Sequence, residues 1–292
     1  MKRRLTKLLL VISLLLANGW FPGQLKAAQL NDTVYINRAF APLFTSAFYF
    51  CSFNSDTSFS RKNVTYKLSL NDTLNITVYN NDTLPHSFTI DNYITSSNTV
   101  LPGTYWTRQL HFSQQGTYRF YSALSNGAQL GVSGVILAGY TGYLRYSWNL
   151  FDQDSVFSEA FHQQTLNAIN NNFRPGVFLI NGAAYPQSSF DAETEINAMV
   201  GDSIIITIVN SGHMNHSIHF HGYHVKIVDA PQAPQTVGWV KDSFPVKPGS
   251  HVTVLLVPDK EGMYPVHDHN LIATTNIGNY PGGMMAMLNI MP

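Results

Sequence analysis

Beyond residue 28 the chain is built of short β-branched and aromatic runs, as in "YKLSLNDTLNITVYNNDTL" (66–84) and "SIIITIVNSG" (203–212). Asn, Asp, Gly and Pro break these runs at close intervals, and runs so bounded read as strands. Long amphipathic helices are absent. The one helix-like stretch, "SEAFHQQTLNAINNN" (158–172), falls where a linker would lie. The pattern predicts an all-β sandwich or barrel architecture, in two copies.

The two copies can be aligned by their letters. "NDTLNITVYNNDTLPHSFTIDNY" (71–93) matches "GDSIIITIVNSGHMNHSIHFHGY" (201–223) without a gap at an offset of 201 − 71 = 130. Asp72, Ile76, Thr77, Asn80, His86, Ser87 and Tyr93 recur as Asp202, Ile206, Thr207, Asn210, His216, Ser217 and Tyr223. Further on, "LPGTYWTRQLHFSQQGTYRFYSA" (101–123) matches "KPGSHVTVLLVPDKEGMYPVHDH" (247–269) at an offset of 146. The expected organisation is an export signal over 1–28, a first domain over 29–145, a linker over 146–175 and a second domain over 176–292.

Seventeen basic side chains balance seventeen acidic ones, so no net field draws the chain to nucleic acid or to an anionic membrane. Lys2, Arg3, Arg4 and Lys7 precede an apolar run from Leu8 to Ala17 that is too short to span a bilayer. Ala27 and Ala28 offer a cleavage point. A secreted or periplasmic mature protein without a membrane span is expected. Cys51 is the only cysteine, which excludes an intrachain disulfide and a Cys-rich metal site, and in "FYFCSFN" it reads as a buried packing thiol.

The chemistry concentrates in "HMNHSIHFHGYH" (213–224), which carries five of the eleven histidines. Strand alternation puts His219 and His221 on one face, and His267 and His269 of "YPVHDH" on one face of theirs. If the two strands are neighbours, four imidazoles converge on one or two metal ions. The bland alternative is a polar sheet face with solvated histidines. The first copy holds Thr89, Asp91, Tyr121 and Ala123 at these positions. By the same parity His216 and Asp268 point into the second domain, and His86 with Ser122 into the first.

These elements resemble the multicopper oxidases and their two-domain relatives, the two-domain laccases and copper nitrite reductases. "HSIHFHGYH" is similar to the family's HPxHLHGH element, and "EGMYPVHDHN" to its G-x-Y-x-x-HCH element, whose Cys binds the type 1 blue copper. "FLINGAAYP" and "GDSIIITIVNSG" resemble the start of a family domain. The resemblance implies tandem cupredoxin-like Greek-key domains with copper at His219, His221, His267 and His269, the type 2 and type 3 positions. His216 matches a type 1 ligand. Asp268 stands at the type 1 Cys position, no His follows His269, and Met284 or Met285 occupies the axial position, so a blue centre is not expected. The family's trimeric assembly further implies that Asp91, and more weakly Tyr121, of the same or a neighbouring chain completes the site; His224, close to the run, reads as a supporting group behind the ligands.

Copper is the expected ion and zinc the runner-up by ligand chemistry. The functional expectation is a secreted copper-binding protein of oxidoreductase lineage, which if active takes a small reductant directly at the histidine site. The alternative is a non-catalytic metal-binding or structural cupredoxin repeat. A cupin would also use an HxH motif, but no acidic residue follows this one until Asp229. Met284, Met285, Met287 and Met291 read as core filling, and His111, His162, His213 and His251 as peripheral.

Overall fold

A computed structural model describes residues 27–91, 93–94, 98–165 and 173–292. All but the last two residues of the expected export signal, and 166–172 of the expected linker, lie outside the described residues. The first half runs β1 (Gln29–Leu43), β2 (Ser46–Asn54), β3 (Thr65–Leu68), β4 (Thr73–Asn80), β5 (His86–Ser87) and β6 (Thr89–Ile90). It continues through β7 (Thr99–Val100), β8 (Tyr105–His111), β9 (Gly116–Tyr121) and β10 (Ser133–Ala138). Two four-stranded sheets result, ordered β2-β1-β4-β8 and β3-β10-β9-β6, with β5 and β7 paired separately.

The second half runs β11 (Leu144–Gln153), α1 (Ser155–Gln163), β12 (Val177–Ile180), β13 (Ile196–Met199), β14 (Ile204–Asn210), β15 (His216–Phe220) and β16 (Val225–Asp229). Then come β17 (Val240–Lys241), β18 (Ser243–Val246), β19 (His251–Leu256), β20 (Gly262–Asp268) and β21 (Met285–Met291). Its sheets are ordered β12-β11-β14-β19-β16-β17 and β13-β21-β20-β15-β18. The fold is the all-β pair of sandwiches that the pattern predicts, each with its own apolar core.

The boundary between the halves differs from the expected one. Residues 146–153, expected to open a linker, belong to β11, which pairs in parallel with β14 from Leu144↔Ile204 to Leu150↔Asn210. This matches the parallel pairing of β1 with β4, Leu30↔Leu74 to Ile36↔Asn80. Polar residues on "SWNLFDQ" hid the strand: Asp152 and Gln153 are fully buried, so their hydrogen bonds, not their hydropathy, decide their place. Helix α1 starts at the capping residue Asp154, whose side chain accepts from the Val156 and Phe157 amides, and it buries Phe161 in the first core.

The uninterrupted apolar run of β14 has a physical reason, because every residue from Ile204 to Asn210 is buried. One face enters the second core, and the other meets the first domain. Ile205 packs with Leu137 and Tyr140 across that junction, where Thr117 Oγ1 lies 3.0 Å from the hydroxyls of both Thr207 and Thr253. By contrast β4, which has a partly exposed outer face, alternates strictly between buried and half-buried positions.

Candidate metal centre

β15 and β20 are adjacent antiparallel strands in which His219 stands directly opposite His267. The same register in the first domain sets Thr89 opposite Tyr121. Alternation then brings His221 and His269 onto the same face. Ring centres lie 4.8 Å apart for His219 and His221, 5.7 Å for His219 and His267, 5.5 Å for His219 and His269, and 5.0 Å for His221 and His267.

Two of these rings are oriented from behind. His267 Nδ1 lies 2.9 Å from the Asp268 carbonyl, which can only accept, so Nδ1 carries the proton and the Nε2 lone pair faces His221 Nε2, from which it accepts in the metal-free protein. His219 Nδ1 lies 2.7 Å from Ser243 Oγ and 3.2 Å from the Asp242 carbonyl, which frees its Nε2 in the same way. A buttressed tautomer of this kind is what metal-binding imidazoles need. His221 is exposed, and its Nε2 lies 2.9 Å from that of His267. Two donors at right angles, each about 2 Å from one ion, stand about 2.8 Å apart, so this pair fits one metal. Partial burial, followed by the neighbouring His267, His219 and His269, depresses the His221 pKa and favours the neutral, ligating form.

The four rings do not, however, converge on a single point. No three of their nitrogens from different residues lie within 4.8 Å of one another. The face therefore presents one close pair, His221 with His267, flanked by His219 and His269 as separate donors. It fits a shared or polynuclear site better than a closed four-ligand one.

Behind this face, in the interior, His216 Nδ1 lies 2.5 Å from Asp268 Oδ2, and its Nε2 lies 3.0 Å from Asp152 Oδ2. All three side chains are fully buried. Burial opposes a charge on His216, but the hydrogen bonds and charges of Asp152 and Asp268 outweigh it and push the pKa up to about 9. Burial likewise opposes ionisation of Asp152, yet His213 and His216 hold its carboxyl well below the usual range. The Asp152 carboxylate also accepts the His213 and Met214 amides. It fits because residue 212 is Gly: a Cβ there would stand 2.2 Å from Asp152 Oδ2.

Several expected contributors lie elsewhere. Asp91 bonds to the Tyr121 hydroxyl at 3.0 Å and lies 3.5 Å from Arg119, in a cleft shared with Asp229 and His251 between the domains. In a single chain neither Asp91 nor Tyr121 is thereby brought to the histidines. His224 is exposed, whereas Met284 and Met285 are buried. His162 and His213, read as peripheral, are structural: His162 stacks on Tyr49 at 3.7 Å, and His213 on Phe161 at 5.3 Å. Sequence reasoning missed Asp152, because its strand was taken for linker. It also missed the first-domain group Arg38, Cys51, Asp82 and His86. The signal available for both was the repeated histidine: His86 and His216, 130 residues apart, are each fully buried and thus require polar partners.

Residues 158–287 match the family model described as multicopper oxidase. Among solved structures the chain is similar to the multicopper oxidase mgLAC, with TM-score 0.71 and 16% identity over 91% of this chain and 88% of that one. It is similar to a blue copper oxidase from Nitrosomonas europaea, with TM-score 0.70 and 18% identity over 90% and 86% of the two chains. For a copper nitrite reductase from the same organism the TM-score is 0.66, with 16% identity over 90% and 94%. At these identities the structures establish the fold. No curated protein sequence matches the chain.

Proposed function

Because residues 158–287 match the multicopper oxidase family model, we propose that the chain is a secreted copper-binding protein of that lineage. Its metal sits on the face formed by His219, His221, His267 and His269, and it has no type 1 blue centre. The observation that carries the reading is the His221–His267 pair, 2.9 Å between Nε2 atoms, with the His267 tautomer set by the Asp268 carbonyl. Copper is preferred to zinc on the family relationship, since imidazole donors suit both ions. Bound there, copper supplies a redox-active Lewis acid at an exposed protein surface.

The donor set supports the reading that no blue centre forms. A type 1 site needs a thiolate and imidazole lone pairs, whereas the inward-facing residue of β20 is Asp268, and both nitrogens of His216 are engaged by carboxylates. Without that port, a reductant has to reach the histidine face itself. The exposure of His221 and His269 leaves that route open. Four imidazoles that miss a common point call for ligands from a second surface, and a neighbouring copy presenting Asp91 and Tyr121 would supply them in a trimer. A metal holder without turnover is the second reading, favoured by the carboxylate-locked His216.

Metal content after copper loading and dialysis tests the proposal. The mature protein loaded with Cu(II) retains it, and His221→Ala with His267→Ala sharply lowers the retained Cu(II). Equal retention by that double variant would refute the site. Oxygen consumption with several small reductants then separates turnover from holding.

A further inference from the structure

Outside the histidine face, a second set of ligating side chains meets in the first domain. Among the described residues, Cys51, Asp82 and His86 are the group of three ligand-type side chains whose donor atoms all lie within 4.8 Å of one another, and all three are buried. Cys51 Sγ lies 3.9 Å from His86 Nε2 and 3.9 Å from Asp82 Oδ2, and those two atoms are 2.7 Å apart. A triangle with these sides has its centre about 2.1 Å from each corner. That distance matches metal bonds to nitrogen and oxygen and falls just short of a metal–thiolate bond, about 2.0–2.3 Å across the set.

The three residues come from different parts of the fold, the thiol from β2, the carboxylate from the turn after β4 and the imidazole from β5. We propose that Cys51 Sγ, His86 Nε2 and Asp82 Oδ2 form a buried three-coordinate site for a single Cu(I) ion. It shares no residue with the histidine face and does not depend on the function assigned to that face.

Two features of the surroundings select this ion. The first is charge. Arg38 Nε is fixed 2.7 Å from Asp82 Oδ2, so guanidinium and carboxylate cancel, and an imidazole that ligates through its Nε2 lone pair adds no charge. A monovalent ion that replaces the thiol proton, which passes to solvent, leaves the buried group neutral. A divalent ion would leave a net positive charge in the core, where it is costly. Thiolate and imidazole are also the donors that soft Cu(I) prefers.

The second is the proton inventory of His86. Its Nδ1 lies 2.9 Å from Ser122 Oγ, a hydroxyl that either donates or accepts. Without metal, Nε2–H donates to Asp82 and the Ser122 hydroxyl donates to Nδ1. With metal, the proton moves to Nδ1, donates to Ser122 Oγ and frees the Nε2 lone pair. Either tautomer is satisfied, so binding strands no buried polar group.

The test uses the full mature chain carrying His221→Ala and His267→Ala, which silences the histidine pair. The protein is refolded anaerobically with Cu(I) and challenged with a chromogenic Cu(I) chelator. One equivalent is expected to stay bound, and adding Cys51→Ser is expected to weaken retention by at least about a hundredfold. Equal retention with and without Cys51→Ser overturns the site, as does preferential uptake of one zinc over Cu(I). X-ray absorption on the chain with Cys51 intact is independent of how the serine variant folds: a sulfur scatterer in the copper shell supports the assignment, and a shell of nitrogen and oxygen alone overturns it.

Discussion

His86 and His216 occupy matching positions in the two domains, and each receives a carboxylate on Nε2, but from a different place. In the second domain the acid is Asp152 of β11, 3.0 Å away, and the turn after β14 supplies Gly212 to make room. In the first domain residue 38 of β1 is Arg, and the turn itself supplies Asp82, 2.7 Å from the ring. On Nδ1 the contrast is Asp268 against Ser122. The fold thus fixes the location of a buried imidazole and the need to satisfy both its nitrogens. Two carboxylates lock the His216 ring as a cation, whereas a carboxylate and a hydroxyl flank the His86 ring.

The sharpest way to break that contrast is to remove a carboxylate from His216. Asp268→Asn should cost about 3–5 kcal/mol in urea unfolding, the scale for breaking a buried ion pair. A cost under about 1 kcal/mol would mean that His216 is not held as a cation.

pH separates the domains next. The folded His216 value of about 9 lies above its ordinary 6.5. Its contribution is therefore complete below pH 6.5 and is lost as the pH rises through 9, up to about 3 kcal/mol. Asp82 is held down at about 2 against an ordinary 3.8: burial opposes ionisation, but the hydrogen bond from His86 and the charge of Arg38 prevail. Its contribution is complete above 3.8 and fades as the pH falls towards 2. Alkaline destabilisation that shrinks in Asp268→Asn, where Asp152 alone still holds the ring, is the expected result, and a flat profile from pH 6 to 10 in the unaltered protein would contradict it.

Smaller effects test the supporting groups. Gly212→Ala pushes a methyl group against Asp152 and should destabilise by about 1–3 kcal/mol, while the equivalent position in the first domain already carries Asp82. Ser243→Ala removes the hydroxyl 2.7 Å from His219 Nδ1 and should weaken copper binding about tenfold with stability unchanged, as read by competition with a chelator.

Strand parity carried much of this into the sequence itself. His219, His221, His267 and His269 were legible because a two-residue period leaves little freedom, and the His219↔His267 register matches the letters 130 and 146 residues upstream. Parity also turned His216 and Asp268 inward. Convergence in three dimensions was not legible. The four rings share a face yet miss a common point, and Asp91 turns to Tyr121 and Arg119. Asp152 and Arg38 were invisible for another reason: polar residues in a strand look like loop until their buried partners are known, and those partners are 64 and 44 positions away.

The electron paramagnetic resonance spectrum of the copper-loaded mature protein addresses the central assignment most directly. A type 2 signal with nitrogen couplings, no blue colour, and loss of both signal and couplings in His221→Ala with His267→Ala is the predicted result. A type 1 signal with intense blue absorption, or an unchanged spectrum in the double variant, would contradict it.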